Sequence, residues 1–287
     1  MIVALAEFRD AALRKDECAV RIGRLALESL HSELICAPKP GLVTPTDCGS
    51  HRDMDAATFL RSLDALREYF PSIARGGMAG ASFSELQELG LAAEKRMRQA
   101  TNGINTHCGA IFSLGLIAAA GAELQAIGRS LTAARLCVTV KERWGNAVLN
   151  AQPQAASHGL RAAWRYGAAG ARAEAAFGFP TVLRTGLPAL RFALAQGCGR
   201  NRALVHALFS LIAVVEDTNL LYRGGLEGLA FARSAALAYL RHGSVLRADW
   251  RLRALKLSAE FKARNLSPGG AADLLAATWF VHRLETS

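Results

Sequence analysis

The chain is poor in lysine: only six of its 34 basic residues are lysine, and the rest are arginine. Its six cysteines, at 18, 36, 48, 108, 137 and 198, form no Cys-x-x-Cys pair, which argues against a zinc ribbon or a disulfide framework and leaves reduced thiols as the expected state. Neither cysteines nor histidines have zinc-ligand spacing. No Gly-x-x-x-x-Gly-Lys-[Ser/Thr] loop or kinase signature set occurs, so a nucleoside triphosphate, if bound, is held by another design. Strand-like alternation is nearly absent, which excludes a Rossmann unit and a parallel sheet. No linker, low-complexity tract or solenoid-period repeat divides the chain, so a single domain over residues 1–287 is expected. The longest apolar runs, Ala110 to Ala120 and Ala203 to Val215, fall short of the roughly 20 residues of a membrane span and read as core helices. The first ten residues turn charged too early for a secretory signal, which points to the cytoplasm and away from a membrane.

A hydrophobic content of 51% is enough for a full core. The net charge of +10 marks a protein that attracts polyanions. Arginine's planar fork suits phosphate, though a GC-rich genome raises arginine content equally well. Nucleic acid is not expected as a partner, because there is no helix-turn-helix, RNP motif, zinc finger or aromatic-interleaved basic stripe.

Periodicity predicts helix almost throughout. Ile22, Ala26, Leu27, Leu30 and Leu34 form one apolar stripe, ended by Pro38 and Pro40. A second helix starts at Asp55 and runs to Pro71, and Ser84-Glu85-Leu86-Gln87 has the form of a capping box. Further helices are predicted at about 108–120, 130–149, 160–166, 187–196, 203–221, 226–240 and 247–262, and a last one from Ser267-Pro268. The fold class is all-α, a single multi-helix domain with its functional loops gathered at one central pocket.

The unusual residues lie in the connections. Glu216-Asp217-Thr218-Asn219 follows an apolar run, where a helix C-terminus and an apolar surround both oppose unpaired carboxylates. A metal ion or Arg223, in Arg223-Gly224-Gly225, is the expected compensation. Pro38-Lys39-Pro40-Gly41-Leu42-Val43 runs on to His51-Arg52-Asp53-Met54-Asp55, where Asp55 is either a helix cap or a metal ligand. Gly103-Ile104-Asn105-Thr106-His107-Cys108 leads into a very apolar helix, an anion-binding start, with His107 readable as a structural hydrogen-bonder. Glu94 and Arg98 read as a surface pair. Ser157-His158-Gly159 and Gly170-Ala171-Arg172-Ala173-Glu174-Ala175 are glycine-marked turns. In Asn265-Leu266-Ser267-Pro268-Gly269-Gly270-Ala271-Ala272-Asp273, two glycines in a first helical turn invite close approach of a ligand to bare amides.

Taken in order, Pro-Lys-Pro-Gly-Leu-Val, His-Arg-Asp-Met-Asp, Gly-Ile-Asn-Thr-His, Gly-Ala-Arg-Ala-Glu-Ala, Glu-Asp-Thr-Asn with Arg-Gly-Gly, and Asn-Leu-Ser-Pro-Gly-Gly-Ala-Ala-Asp resemble the triphosphoribosyl-dephospho-CoA synthase family, from about Glu33 to Leu284. The resemblance implies a pentosyltransferase that joins the 5-triphosphoribosyl group of ATP to the 2'-hydroxyl of 3'-dephospho-CoA and releases adenine. The product would be the prosthetic-group precursor for the acyl carrier protein of malonate decarboxylase or citrate lyase, handed to a carrier-protein holo-transferase. Absence of a fused second transferase domain leans toward malonate decarboxylase. Mg²⁺ is the implied cofactor, with Asp53, Asp55, Asp217 and Asp273 as metal ligands. Asp53 and Asp217 share the catalytic duty with His107 or His158, which would protonate departing adenine. Lys39, His51, Arg52, Asn105, Thr106, Arg172, Asn219, Arg223, Gly224, Gly225, Ser267, Gly269 and Gly270 are the implied substrate-binding residues. Oligomeric state is left open, a homodimer included.

Two departures from the family pattern stand out: Cys108 where a lysine is usual, and Thr44 where an aspartate is usual. An arginine is expected to cover the first, and Asp47 is the acid nearest the second. Two other readings fit the bare residues: a Mg²⁺-dependent hydrolase of N-glycosidic bonds, and a non-catalytic helical module that binds polyanions.

Overall fold

The computed structural model describes residues 2–152 and 158–287, and their side chains apart from those of residues 2–14, 158 and 160. Described residues form thirteen α-helices and no strand. The expectation of an all-α fold holds. In order they are α1 (Ile2–Ile35), α2 (Ala56–Ala65), α3 (Tyr69–Met78), α4 (Phe83–Ala100), α5 (Cys108–Ala126), α6 (Ala133–Asn150), α7 (His158–Tyr166), α8 (Gly170–Ala176), α9 (Leu187–Ala195), α10 (Arg200–Val214), α11 (Thr218–Arg241), α12 (Trp250–Ala263) and α13 (Gly269–Glu285).

Three helices are apolar on nearly every face and therefore sit inside. Helix α5 is buried at Ala110, Ile111 and from Ser113 to Ala122, α10 at Ala203–Val205, Ala207–Phe209, Leu211 and Ile212, and α13 from Leu274 to Val281. Around them, α1, α3, α4 and α6 enclose α5, while α9 and α11 flank α10. Helix α5, at 19 residues, has the length and composition of a membrane span, but it lies in the middle of the bundle with most of its surface covered. Small residues permit the closest crossings. A Cβ on Gly77 of α3 would stand 2.1 Å from the Ala119 carbonyl oxygen of α5, and one on Gly115 would stand 2.1 Å from the Tyr69 hydroxyl. That hydroxyl donates to the Ile111 carbonyl at 3.0 Å, which satisfies a buried polar group inside an apolar wall.

The helix starts and stops correct the sequence reading in four places. Asp55 does cap α2, but α2 ends at Ala65, and Pro71 lies in the first turn of α3, where its missing N–H costs nothing. The capping box of α4 is Ser82 with Glu85, two residues earlier than expected. The run expected to be one helix over 203–221 breaks after Val214, where Val215 turns extended and Asp217 opens α11. Ser267 does not cap α13, whose N-cap is Pro268.

The contact between α3 and α5 gives a stability test. Gly77→Ala should lower stability by about 2 kcal/mol or more, since a backbone carbonyl cannot yield to the added methyl. Gly121→Ala, whose nearest neighbour would be a leucine methyl at 3.4 Å, should be neutral or stabilising by up to about 1 kcal/mol. Urea unfolding followed by circular dichroism measures both.

Candidate active site

The connection before α2 and the N-terminal ends of α5, α11 and α13 face one cavity of about 1590 Å³. Single-ligand pockets usually span about 300–1,000 Å³, so this one has room for two nucleotide-sized molecules.

Asp217 lies at the join, 1% exposed. Its Oδ1 accepts the N–H of Asn219 at 2.9 Å and of Leu220 at 3.2 Å, and its Oδ2 accepts that of Ala271 at 2.9 Å. The Gly270 amide adds a fourth interaction. The carboxylate therefore rests on the positive ends of α11 and α13 together. The sequence reading expected compensation from Arg223 or a metal ion; four amides supply it instead, and Glu216, the other half of the supposed buried pair, is exposed. Burial outweighs these amides and still pushes the Asp217 carboxyl above its ordinary range. The facing positions are close-packed: a Cβ would lie 2.5 Å from the Asn219 side-chain nitrogen at Gly269 and 3.1 Å from Asp217 Oδ2 at Gly270.

Asp273, one helical turn on, reaches the start of α5, where the Ala110 amide bonds it. A Cβ on Gly109 would stand 2.0 Å from its Oδ2, so this approach needs glycine. Burial, then the charges of Glu33 and Asp217, hold the Asp273 carboxyl well above the usual carboxylate range. Glu33 in turn pairs with buried Lys39, whose Nζ donates to Glu33 Oε1 at 2.5 Å and to the Glu33 carbonyl at 2.6 Å. Two bonds leave one ammonium proton for a ligand. Sequence reasoning missed Glu33, although a signal was present: it lies seven residues after Ala26 and three after Leu30, on the apolar stripe.

At the start of α5, Asn105 Oδ1 accepts the Cys108 amide at 3.1 Å. Next to it, Thr106 Oγ1 and His107 Nε2 are buried polar atoms without a protein partner. His107 Nδ1 meets Ser62 Oγ at 2.6 Å, and its ring stands edge-on to Phe59. Ser62 is a second residue the sequence reading missed. Burial, and then the Lys39 charge, lower the His107 pKa to about 3. At neutral pH the ring is uncharged, so it offers a hydrogen bond and not the proton expected for departing adenine. Arg98 Nη2 lies 3.5 Å from Cys108 Sγ. Glu94 and Arg98 line the cavity wall, and the expected surface pairing does not describe them.

His51, Asn219, Arg223, Ser267 and Asp53 also line the cavity. Asp53 sits at the rim with its side chain 62% exposed. Other expected residues do not converge. Arg52 is exposed and off the cavity wall. Asp55 accepts Thr58's N–H and hydroxyl, both at 2.8 Å, as a helix cap. Gly224 packs under Leu266, and Gly225, at φ +62°, bends α11 near the Tyr166 hydroxyl. Arg172 lines the wall, but its guanidinium bonds the carbonyls of Val148, Leu149 and Ala151 at the end of α6. Asp47 is paired with Lys262 at 2.9 Å and does not replace the acid missing at Thr44. The His158 side chain lies outside the described residues.

Among the described residues no three histidine, cysteine or acidic side chains are grouped closely enough to cage a metal. Mg²⁺ does not require such a cage, because it is commonly held by one or two carboxylates plus substrate phosphates. Asp273, with one amide bond, fits that donor set; Asp55, used as a helix cap, and Asp217, filled by four amides, do not.

The sequence profile of the family described as ATP:dephospho-CoA triphosphoribosyl transferase matches residues 19–287. A probable 2-(5''-triphosphoribosyl)-3'-dephosphocoenzyme-A synthase from Acinetobacter calcoaceticus is 39% identical over 93% of this chain and 92% of its own. The protein named 2-(5''-triphosphoribosyl)-3'-dephosphocoenzyme-A synthase from Pectobacterium atrosepticum is 39% identical over 92% and 89%. A probable synthase of the same name from Azotobacter vinelandii is 41% identical over 96% and 95%. No solved structure matches the chain.

The two buried aspartates should part company on mutation. Asp217→Asn removes an acceptor from helix amides and should cost about 1–3 kcal/mol of stability. Asp273→Asn, with one amide bond and two repelling carboxylates nearby, should cost little. Because the folded pKa of Asp273 is raised, the folded state holds a proton that the unfolded chain releases above its ordinary value near 3.8. Its effect on stability is therefore a fall as pH rises from there to the folded pKa. The melting temperature of the ligand-free wild type should drop relative to Asp273→Asn over that window.

Proposed function

Because the chain belongs to the ATP:dephospho-CoA triphosphoribosyl transferase family, we propose that its cavity holds ATP and 3'-dephospho-CoA together and transfers the 5-triphosphoribosyl group to the 2'-hydroxyl of the second. The bond from ribose C1' to adenine N9 breaks, a bond from C1' to the acceptor oxygen forms, and the hydroxyl proton leaves with adenine in the overall balance. The product is the precursor for the prosthetic group of an acyl carrier protein, of malonate decarboxylase or citrate lyase. Nucleotide substrates of this kind favour a cytoplasmic location.

The observation that carries the site assignment is a set of buried polar atoms with no protein partner, Thr106 Oγ1 and His107 Nε2, beside the raised carboxyl of Asp273. Thr106 and His107 both line the cavity, where a ligand can satisfy these atoms. Displacement at an anomeric carbon passes through an oxocarbenium-like state, which a carboxylate stabilises. Asp273 has oxygen capacity left for this and for accepting the proton of the 2'-hydroxyl. Asp217, committed to four amides, contributes negative charge and rigidity. His107 hydrogen-bonds the departing base in its neutral form. Lys39, Thr106 and Ser267 contact phosphate. Asp273, which has oxygen capacity left, is the residue that would hold a Mg²⁺ ion, whose chemistry there would be neutralisation of a triphosphate that stays intact.

Purified protein incubated with ATP, Mg²⁺ and dephospho-CoA should yield adenine and a mass equal to dephospho-CoA plus triphosphoribose less water. Adenine formed equally well without dephospho-CoA would instead favour the hydrolase. Chelation should abolish product formation, and added Mg²⁺ should restore it. Asp273→Asn should lower turnover by about 100-fold or more, within the usual range for a general base.

A further inference from the structure

His51, Arg223 and Ser267 come from three separate segments and meet at the cavity wall. His51 Nε2 lies 2.9 Å from Ser267 Oγ, and His51 Nδ1 lies 3.1 Å from Arg223 Nη2. Asp53 Oδ1 stands 4.0 Å from the same Nδ1. The outline is that of a serine nucleophile with its histidine base and orienting acid, which would suit a hydrolase.

The protons exclude that reading. A guanidinium only donates, so Nδ1 must be the acceptor and cannot bear a hydrogen. A ring whose Nδ1 accepts is neutral and carries a single N–H. Its one proton is therefore on Nε2 and is donated to Ser267 Oγ. A nitrogen already carrying its proton cannot take the serine's. Asp53, at 4.0 Å, is beyond hydrogen-bond range. The serine oxygen thus accepts, and its own proton is uncommitted. Ser267 is 2% exposed and lines the cavity, so water supplies no ready alternative in a liganded site.

Arg223 is anchored behind the ring. Its Nη1 donates to the Ser50 carbonyl and to Asn265 Oδ1, both at 2.9 Å. Ser50 Oγ in turn donates to the Leu266 carbonyl at 2.6 Å, next to Ser267. The backbone on both sides of the histidine is held, which fixes the direction of the ring. With a cation at the back and every donor aligned the same way, the chain's positive end emerges at the Ser267 hydroxyl. The matching acceptor is an anionic oxygen, for which charge-assisted hydrogen bonds are strongest.

We propose that Arg223, His51 and Ser267 form a one-way donor chain that presents the Ser267 hydroxyl proton to a nucleotide phosphate oxygen, with His51 as a positioning residue and Arg223 as its anchor. This rests on the reading of the cavity as an ATP site. It also moves Arg223 from direct substrate binding to orientation of the ring.

The test measures binding of ATP with Mg²⁺ to full-length protein by calorimetry, for Ser267→Ala, His51→Ala, the double variant and His51→Gln. Melting temperatures confirm that each is folded. Ser267→Ala should weaken ATP binding roughly ten- to hundred-fold, the range for a hydrogen bond to a charged group. His51→Ala should weaken it less, and the double variant should be no worse than Ser267→Ala, since the histidine acts only through the serine. His51→Gln, which can accept from Arg223 and donate to Ser267, should recover most of the loss. In turnover the loss should fall more on the KM for ATP than on kcat. Wild-type affinity in Ser267→Ala, or additive losses in the double variant, would overturn the proposal. So would a thousand-fold loss of kcat with ATP binding intact, which would restore the nucleophile. Wild-type protein that binds ATP but makes no triphosphoribosyl product would instead overturn the transferase reading, because the donor chain is read from binding.

Discussion

A single carboxylate organises this molecule's interior. Asp217 sits where α10 ends and α11 begins, and it accepts amides from the starts of both α11 and α13. Each helix start leaves N–H groups that need partners, and a buried start without them is costly. One aspartate satisfies two starts and draws them to the same point. The position of Asp273 on α13, and hence its reach to the Ala110 amide of α5, follows from that join. Three helix starts therefore converge on one cavity because two aspartates tie them together.

Much of the architecture was readable from periodicity, since apolar stripes at helical spacing require little tertiary information. The Asp55 cap and the buried character of α5 and α10 fall in this class. What the sequence could not disclose was partner choice. Glu216-Asp217 lies after an apolar run, and local logic demanded a cation; of the four amides that bond Asp217 instead, two, Gly270 and Ala271, are more than fifty residues away. Gly269 and Gly270 looked like bare amides for a ligand, yet their missing side chains make room for Asn219 and Asp217. Arg172, a plausible phosphate binder by type, is engaged by carbonyls of α6 that periodicity cannot place near it. Glu33 was legible in principle, as a charge on an apolar stripe, because such a charge implies a buried partner, and Lys39 is that partner.

The electrostatics of the cavity fit ligands that are polyanionic and bring a cation with them. Glu33 and Asp217 both act on Asp273, and Lys39 is the buried cation paired with Glu33. Two of these carboxyls are held above their ordinary pKa by burial. A metal carried on a triphosphate would favour their ionised forms, and the phosphates would meet the remaining donors of Lys39, Thr106 and Ser267. The neutral histidines, His51 and His107, serve as fixed hydrogen-bonding groups in that setting. Such preorganised polar groups can stabilise developing charge without rearranging.

The central claim is that the reacting ribose carbon lies against Asp273 with its triphosphate among these donors. A crystal structure with Mg²⁺, dephospho-CoA and a carbocyclic ATP analogue whose base cannot leave tests this most directly. The account predicts the carbon equivalent to C1' within about 4 Å of an Asp273 oxygen, near attack distance for the acceptor hydroxyl, and both nucleotides inside the one cavity. A triphosphate bound elsewhere on the molecule, or that carbon facing away from Asp273 and Asp217 alike, would contradict it.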